Sequence, residues 1–256
     1  MDAKHSIYTV QTVNKTFEIL EILADHSTTY SFAQLSKSIG LTRNKTFRLL
    51  STLCEMGLVE KDPHGGNYQL GFSSVLLAQK FLLNSSVVNY AHPVMEELVR
   101  KHDEAVYMTV INGDEVLFLD MVDCAHQVKA TPLVGRKFPM FSNAAGKVIK
   151  ALESRDILER LFNKRGRKGD LPDMESLASE FIEIRAKGVA IDSGGLGEGV
   201  ISVAVAVRDY AGKVVGAITM LGPSFRMLAT RLENEIIPSM LEGAEILSEK
   251  FGYARG

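Results

Sequence analysis

The stretch from Ser31 to Gly57 constrains this chain more than any other. Ser31 is placed to cap a helix, with Gln34 three residues on as its capping-box partner. That helix is short, Phe32 to Ile39, and Gly40 ends it. Leu41 and Thr42 form the link, with Thr42 as N-cap, and a third helix runs from Arg43 to Met56. Phe47, Leu50, Leu53 and Cys54 are expected to face inward, and Gly57 stops the helix. Leu58–Lys61 and Asn67–Leu70 then alternate about the turn Asp62-Pro63-His64-Gly65-Gly66, which predicts a β-hairpin. Upstream, after a turn at Thr28-Thr29-Tyr30, the pattern reads back into another helix. Val10, Val13, Phe17 and Leu20 recur there at spacings of three and four, marking an amphipathic helix that ends near Asp25. Two helices joined by a tight glycine-containing turn, followed by a hairpin, describe a winged helix-turn-helix.

The third helix decides whether such a unit reads DNA. A recognition helix shows short polar and basic side chains from its first turns and keeps an apolar back. Residues 42–48 carry Arg43, Lys45 and Arg48 with no acid, and Thr42, Asn44 and Thr46 add neutral hydrogen bonders. Arginine pairs bidentately with guanine and asparagine with adenine. Free N–H groups at the helix start suit a phosphate. Lys61, in the wing, is placed to reach a neighbouring phosphate. A basic helix face is often only a solvated face. Here the ordered set of capped helix, turn, basic helix, stop glycine and wing favours nucleic acid. The expected DNA contacts are Thr42, Arg43, Asn44, Lys45, Thr46, Arg48 and Lys61.

Phe72–Asn84 predicts a further helix with more apolar side chains than a linker needs. Leu76, Leu77, Leu82 and Leu83 cannot all face one small domain, so this helix is expected to pack on a second copy. Asn84-Ser85-Ser86 is a polar break, with Ser86 as the next cap. The chain thus divides into a winged helix-turn-helix over 1–71, a linker helix over 72–85 and a larger domain over 86–256.

The larger domain opens with a helix over about Val87–His102. Val106–Ile111 and Val116–Val122 flank Asn112-Gly113-Asp114-Glu115, a strong hairpin signal. A third strand is expected around Val128–Leu133. Helices follow at about Ala144–Leu152, Arg155–Leu161 and Met174–Lys187, then a short strand at Val189–Asp192. Val200–Arg208 and Val214–Leu221 make a second hairpin, and a long helix over about Ala229–Phe251 closes the chain. The reading is α+β: an antiparallel sheet with helices to one side. The basic loop Lys164-Arg165-Gly166-Arg167-Lys168 reads as a surface loop rather than a second nucleic-acid site.

Net charge and cysteines narrow the function. The 256 residues carry 29 Lys and Arg against 31 Asp and Glu, a net charge of −2, which excludes a globally basic coat but not a local patch. Cys54 and Cys124 lack CxxC partners, which excludes zinc ribbons and thioredoxin-like redox chemistry. The apolar runs are too short to span a membrane and Met1–Thr9 has no signal core, so a cytoplasmic protein with no membrane partner is expected.

Enzyme motifs are missing. The sequence holds no GxSxG, no HExxH and no histidine pair at metal spacing. Gly146-Lys147 resembles the end of a phosphate-binding loop, but Phe141 and Val148 stand where glycine and Ser or Thr are required. The Gly194–Gly199 run precedes a strand rather than opening a helix, so it is no dinucleotide fingerprint and reads as a loop beside a pocket. Nothing calls for a metal or a cofactor, and no enzyme is expected. Ser142-Asn143-Ala144-Ala145-Gly146 does open a helix with tiny side chains. Its uncovered N–H groups suit a carboxylate, although Ala-Ala-Gly also serves close helix–sheet packing.

Taken in order, Gly40-Leu41-Thr42, Thr46, Arg48-Leu49-Leu50-Ser51-Thr52-Leu53, Gly57-Leu58-Val59 and Tyr68-Gln69-Leu70-Gly71 resemble the IclR family of bacterial transcription regulators. Gly135-Arg136, Ala145-Gly146-Lys147, Arg185, Gly188-Val189-Ala190-Ile191-Asp192, Glu198-Gly199-Val200 and Leu221-Gly222-Pro223 extend the resemblance from about Val10 to Tyr253. It implies a winged helix-turn-helix joined by a linker helix to a GAF-like domain. It implies a homodimer or homotetramer on double-stranded operator DNA, with an effector that is a small organic acid or aromatic metabolite. Carried over by position, the effector residues are Ala144, Ala145, Asp192, Ser202 and Thr219. Two departures stand out: Gly194 and Gly195 replace an acidic pair, and Leu221 replaces a common serine. Ser202 and Thr219 offer neutral hydroxyls, and Asp192 is expected to accept a hydrogen bond from a ligand hydroxyl or, if protonated, to donate one to a ligand carboxylate. Met140, Phe141, Val203 and Leu221 favour an aromatic or aliphatic ligand body. The expected function is a DNA-binding regulator gated by that metabolite. The alternative is a sensor or enzyme whose winged helix contacts only protein.

Overall fold

A computed structural model describes residues 9–24, 29–83, 85–153 and 174–254. The chain splits into two compact units, Met1–Asn84 and Ser85–Gly256.

The first unit runs α1 (Gln11–Ala24), α2 (Phe32–Ser38), α3 (Arg43–Glu55), β1 (Val59–Lys61), β2 (Tyr68–Leu70) and α4 (Phe72–Leu83). The expected capping box is formed. Gln34 N–H donates to Ser31 Oγ at 3.3 Å, and Ser31 N–H donates to Gln34 Oε1 at 2.8 Å. β1 and β2 pair antiparallel as the wing, whose turn is held by Asp62 accepting from the His64 and Gly65 N–H groups. Tyr30 bridges to Tyr68, tying the start of α2 to the wing. The core gathers Ile19, Leu35, Ile39, Leu50, Leu53, Val59 and Tyr68.

Two expectations change here. The inward stripe of α3 is Thr46, Leu50 and Leu53, while Phe47 is 58% exposed. One residue of helix turns through about 100°, so the true phase swaps Thr46 in and Phe47 out. The reason is space: α3 crosses α2 closely there, with Thr46 Oγ1 only 3.4 Å from Ser36 Oγ, a gap for a small side chain. In α1, Ile19 is buried, with Leu20, Ile22 and Leu23 against the core, whereas Val13 and Phe17 face outward. The sequence positions Asp25, Thr28 and Asn84 lie outside the described residues.

The second unit runs α5 (Ser86–His102), β3 (Ala105–Asn112), β4 (Glu115–Val122), β5 (Lys137–Pro139), α6 (Ala144–Glu153), α7 (Met174–Lys187), β6 (Val189–Ser193), β7 (Val200–Arg208) and β8 (Val214–Pro223). It closes with α8 (Ala229–Arg231), a π-helical turn (Leu232–Ile236) and α9 (Ile237–Lys250). Ser85, not Ser86, occupies the cap position of α5. The strands form one antiparallel sheet in the order β5-β4-β3-β8-β7-β6.

Helices cover both faces of this sheet, not one. α6 and α7 pack with Ala105, Tyr107, Ala190, Ala204, Ala217 and Leu221. α5 and α9 pack with Val106, Met108, Val203, Val205, Ile218 and Met220. Val203–Val207 is buried at every position, and a strand apolar on both faces must be covered on both. The alternation also puts small side chains, mostly alanine, on the α6 face and larger ones on the other.

The third strand is Lys137–Pro139, and 128–133 is loop. Pro132 lacks a ladder donor. Leu133 is instead buried in the core, and Phe138 stacks edge-on against Phe118 at 5.4 Å, which places the pairing segment beyond the Gly135-Arg136 turn. The closing helix is interrupted because Pro238 has no N–H and its ring crowds the preceding turn, which widens to π geometry. Glu104 is fully buried at the start of β3. It accepts a two-pronged bond from Arg226 and a third from Arg231, tying β3 to the segment after β8. The positions of the expected helix Arg155–Leu161 and basic loop Lys164–Lys168 lie outside the described residues.

Candidate functional site

In the first unit, Thr42, Arg43, Asn44, Lys45 and Arg48 are all exposed at the start of α3. Thr42 sits at the cap position with extended backbone and makes no side-chain cap bond. Successive positions fan these groups around the helix. Arg43 and Phe47 lie on one flank, Asn44, Arg48 and Ser51 on the crest, and Lys45 and Thr52 on the other flank. That second flank and α1 line an open groove of about 580 Å³, which includes Thr12, Lys15, Lys45, Arg48 and Thr52. Lys61 is exposed on β1, its ammonium 5.8 Å from the Tyr68 ring centre.

Thr46 departs from the expected set. It is fully buried, and its hydroxyl donates to the Thr42 carbonyl at 3.1 Å. Its place is the α2–α3 contact, so it presents nothing to a ligand on the helix crest. Hydropathy favoured Phe47 over Thr46 for the core; the close crossing of α2 reverses that order.

In the second unit, strand alternation puts Asp192, Ser202 and Thr219 on the sheet face that packs α6. Asp192 lies opposite Ser202, and Ser202 opposite Leu221. Ala144 and Ala145 are fully buried at the α6 N-terminus. Asn143 is the working cap: its Oδ1 accepts from the Gly146 N–H at 3.0 Å, while its Nδ2 donates to the Pro139 carbonyl. That uses one of the helix-start donors and leaves the Ala144 and Ala145 N–H groups without an acceptor one turn back. Two glycines let this corner close. A Cβ on Gly146 would lie 1.8 Å from the Met140 oxygen, and one on Gly195 would lie 1.7 Å from the Ser142 oxygen.

Ser202 is 2% exposed and its Oγ has no hydrogen-bond partner. Thr219 Oγ1 lies 3.2 Å from Thr109 Oγ1, which donates to the Ala217 carbonyl. Thr219 therefore donates to Thr109 and keeps acceptor capacity. Tyr107, opposite Thr219, is buried; burial pushes its phenol up to about 12, against a smaller lowering by the Leu133 backbone.

Asp192 is engaged within the protein. One carboxylate oxygen accepts from Lys147 Nζ at 2.9 Å and the other from the Gly195 N–H at 3.0 Å. Lys147 also meets Glu180 at 2.9 Å. Burial alone lowers the Lys147 pKa, but the bonds to Asp192 and Glu180 outweigh it and the net shift is upward. Asp192 thus holds the 192–195 loop against α6. Lys147 and Glu180 were not among the expected site residues. The sequence marked Lys147 only through the Gly146-Lys147 pair, which fails as a phosphate loop, and the Ala145-Gly146-Lys147 motif of the family resemblance; it gave no signal for Glu180.

These features can be set beside known proteins. Residues 79–249 match the description "Bacterial transcriptional regulator IclR C-terminal", and residues 12–63 match "IclR helix-turn-helix domain". The chain belongs to the IclR family of bacterial transcriptional regulators. The HTH-type transcriptional regulator KdgR of Escherichia coli is 26% identical over 95% of this chain and 94% of its own length. An IclR-family regulator structure from Alicyclobacillus acidocaldarius superposes with a TM-score of 0.83 at 22% identity, covering 96% of this chain and 100% of that one. An IclR homologue from Microbacterium hydrocarbonoxydans, complexed with 4-hydroxybenzoate, has a TM-score of 0.79 at 19% identity, covering 94% and 99%. The IclR family is one of transcriptional regulators rather than enzymes. Among the described residues no helix is long and apolar enough to cross a membrane.

Proposed function

We propose that this IclR-family regulator binds double-stranded operator DNA through the exposed basic surface of α3 and the wing. Arg43, Asn44, Lys45 and Arg48 serve as the central contacts, Thr42 sits at the helix start, and Lys61 meets a flanking phosphate. The observation that carries this reading is the fan of Arg43, Asn44, Lys45 and Arg48 on the exposed side of a helix with no acid from Thr42 to Cys54. Residues 1–71 are the DNA-binding domain, 72–85 the linker and 86–256 the effector-binding domain. The regulator acts in the cytoplasm, where its DNA is.

The effector is a small organic acid with an aromatic or aliphatic body, held on the α6 side of the sheet. Two observations favour it. Ser202 Oγ is buried without a partner, and such a group is costly unless something hydrogen-bonds it. The α6 start, packed on the same face of the sheet, offers N–H groups among tiny side chains. The related Microbacterium protein holds a hydroxybenzoate, a carboxylate on an aromatic body. Binding there changes operator affinity through a coupling between the two sites.

The regulator works as a homodimer or homotetramer. α4 buries none of its described side chains, and Phe72, Leu77 and Phe81 are each at least 66% exposed. Phe17 on α1 is 61% exposed. A pair of reading heads also doubles the DNA site, as selectivity in a genome requires.

The test is a gel-shift and footprint on the chain's own upstream region. An Arg43/Lys45/Arg48 triple alanine variant with intact fold is expected to lose the footprint. Unchanged affinity in that variant removes α3 as the reader and favours a winged helix that contacts only protein.

A further inference from the structure

Phe47 stands where a core residue was expected and is the only apolar side chain on the exposed surface of the first two turns of α3. It is 58% exposed, with no ring or cation–π partner among the described residues. Its helical neighbours are Arg43 and Asn44 one turn back and Ser51 one turn on, with Arg48 beside it, all exposed. An aromatic ring left in water in this position forgoes the burial that aromatic side chains gain elsewhere.

The charge around it selects the occupant. Packing Phe47 against a protein would draw Arg43 and Arg48 into a desolvated interface, and this helix supplies no acid between Thr42 and Cys54 to balance them. Phosphates balance them directly. Within the major groove the apolar feature a base edge offers is the thymine C5-methyl, and phenylalanine is among the side chains that contact it. We propose that Phe47 is a sequence-reading residue that packs on a thymine methyl, beside Arg43 on the same flank of α3. This rests on the DNA-reading role of α3 proposed above.

The experiment selects binding sites from random-sequence duplex DNA with the full chain and with Phe47→Ala. The wild-type pool is expected to require thymine at one position per reading helix, and the Phe47→Ala pool to lose that requirement while keeping the rest of the consensus. Replacing that thymine by deoxyuridine removes only the methyl. It is expected to weaken wild-type binding about fourfold and leave Phe47→Ala unchanged. Phe47→Leu is expected to retain most of the discrimination. An equal uracil penalty in wild type and Phe47→Ala overturns the assignment while leaving α3 as the DNA reader. A changed oligomeric mass of Phe47→Ala overturns it in favour of a protein contact. Failure of the wild-type chain to enrich any sequence overturns the DNA-reading role itself, and this assignment with it.

Discussion

Lys147 Nζ lies 2.9 Å from Asp192 Oδ1, joining the first turn of α6 to the end of β6. Glu180 on α7 completes a cluster whose three side chains are 14%, 12% and 32% exposed for Lys147, Asp192 and Glu180. The lysine therefore clamps two helices and an edge strand around the corner where the effector is proposed to bind. Lys147→Met leaves two carboxylates facing each other and is expected to cost about 1–3 kcal/mol, below the fully buried range because water still reaches the group. Adding Asp192→Asn should recover part of that loss. Urea midpoints of the single and double variants measure it, and strictly additive losses would show that the two residues are not coupled.

Thr46 and Arg43 separate structure from recognition on one helix. Thr46→Val removes a buried hydroxyl that donates to the Thr42 carbonyl and is expected to destabilise the first unit by about 1 kcal/mol. Its effect on DNA should follow stability alone. Arg43→Ala should leave stability unchanged and weaken operator binding by about 1–3 kcal/mol. Lys61→Ala should weaken all sequences alike and flatten the salt dependence by about one unit of slope. Thermal melts beside binding isotherms across a salt series decide between these outcomes.

Ser202 makes an unusual prediction because its hydroxyl is unpaired in the folded protein. Ser202→Ala removes a buried polar group that gains nothing, so the ligand-free protein should be equally stable or more stable by up to about 1 kcal/mol. Affinity for an aromatic carboxylate should fall about tenfold in calorimetry with 4-hydroxybenzoate and related acids as probes. Ala145→Leu should block the same ligands, but it also overpacks a fully buried site, so its melting temperature must be read alongside. Identical ligand affinity in wild type and both variants would move the pocket elsewhere.

His102 gives the second unit a mild acid sensitivity. Burial, then the charges of Lys101 and Arg231, hold its imidazole below the ordinary value of 6.5. The unfolded chain takes up the proton near that value and the folded chain only at lower pH. Stability is thus whole above about pH 6.5 and falls as the pH drops below it toward the folded pKa. His102→Gln should flatten the stability profile in that window. A denaturation series from pH 7.5 to 5.0 that is superimposable for the two proteins rules this contribution out.

Phe17, Leu77 and Phe81 test the assembly. Charged replacements such as Leu77→Glu and Phe81→Glu lie on exposed positions, so the monomer fold should survive them. Light scattering at micromolar concentration is expected to show dissociation, with loss of operator affinity larger than for any single α3 contact. An unchanged mass in the double variant would place the dimer contact on another surface.

Local chemistry made much of this protein legible in its residues. The Ser31–Gln34 capping box, the stop before Leu41, the wing around Asp62 and the Asn112-Gly113 hairpin each depend on groups within a few positions of one another. Periodicity likewise placed α3, α4, α6 and α7 and the strands β6, β7 and β8 close to their observed bounds. Tertiary structure decided what local spacing leaves open. Which neighbour of Thr46 and Phe47 enters the core depends on how closely α2 approaches, which hydropathy does not report. β3 pairs with β8 across the whole second unit, and α5 and α9 cover the face that the hairpins alone would leave bare. Lys147, Glu180 and Asp192 meet only because α6, α7 and β6 pack at one corner, so no spacing along the chain announces them. The rule dividing the two sets is physical. Interactions within a turn of backbone are set by the residues themselves, whereas those between distant segments depend on which surfaces the folded chain brings into van der Waals contact.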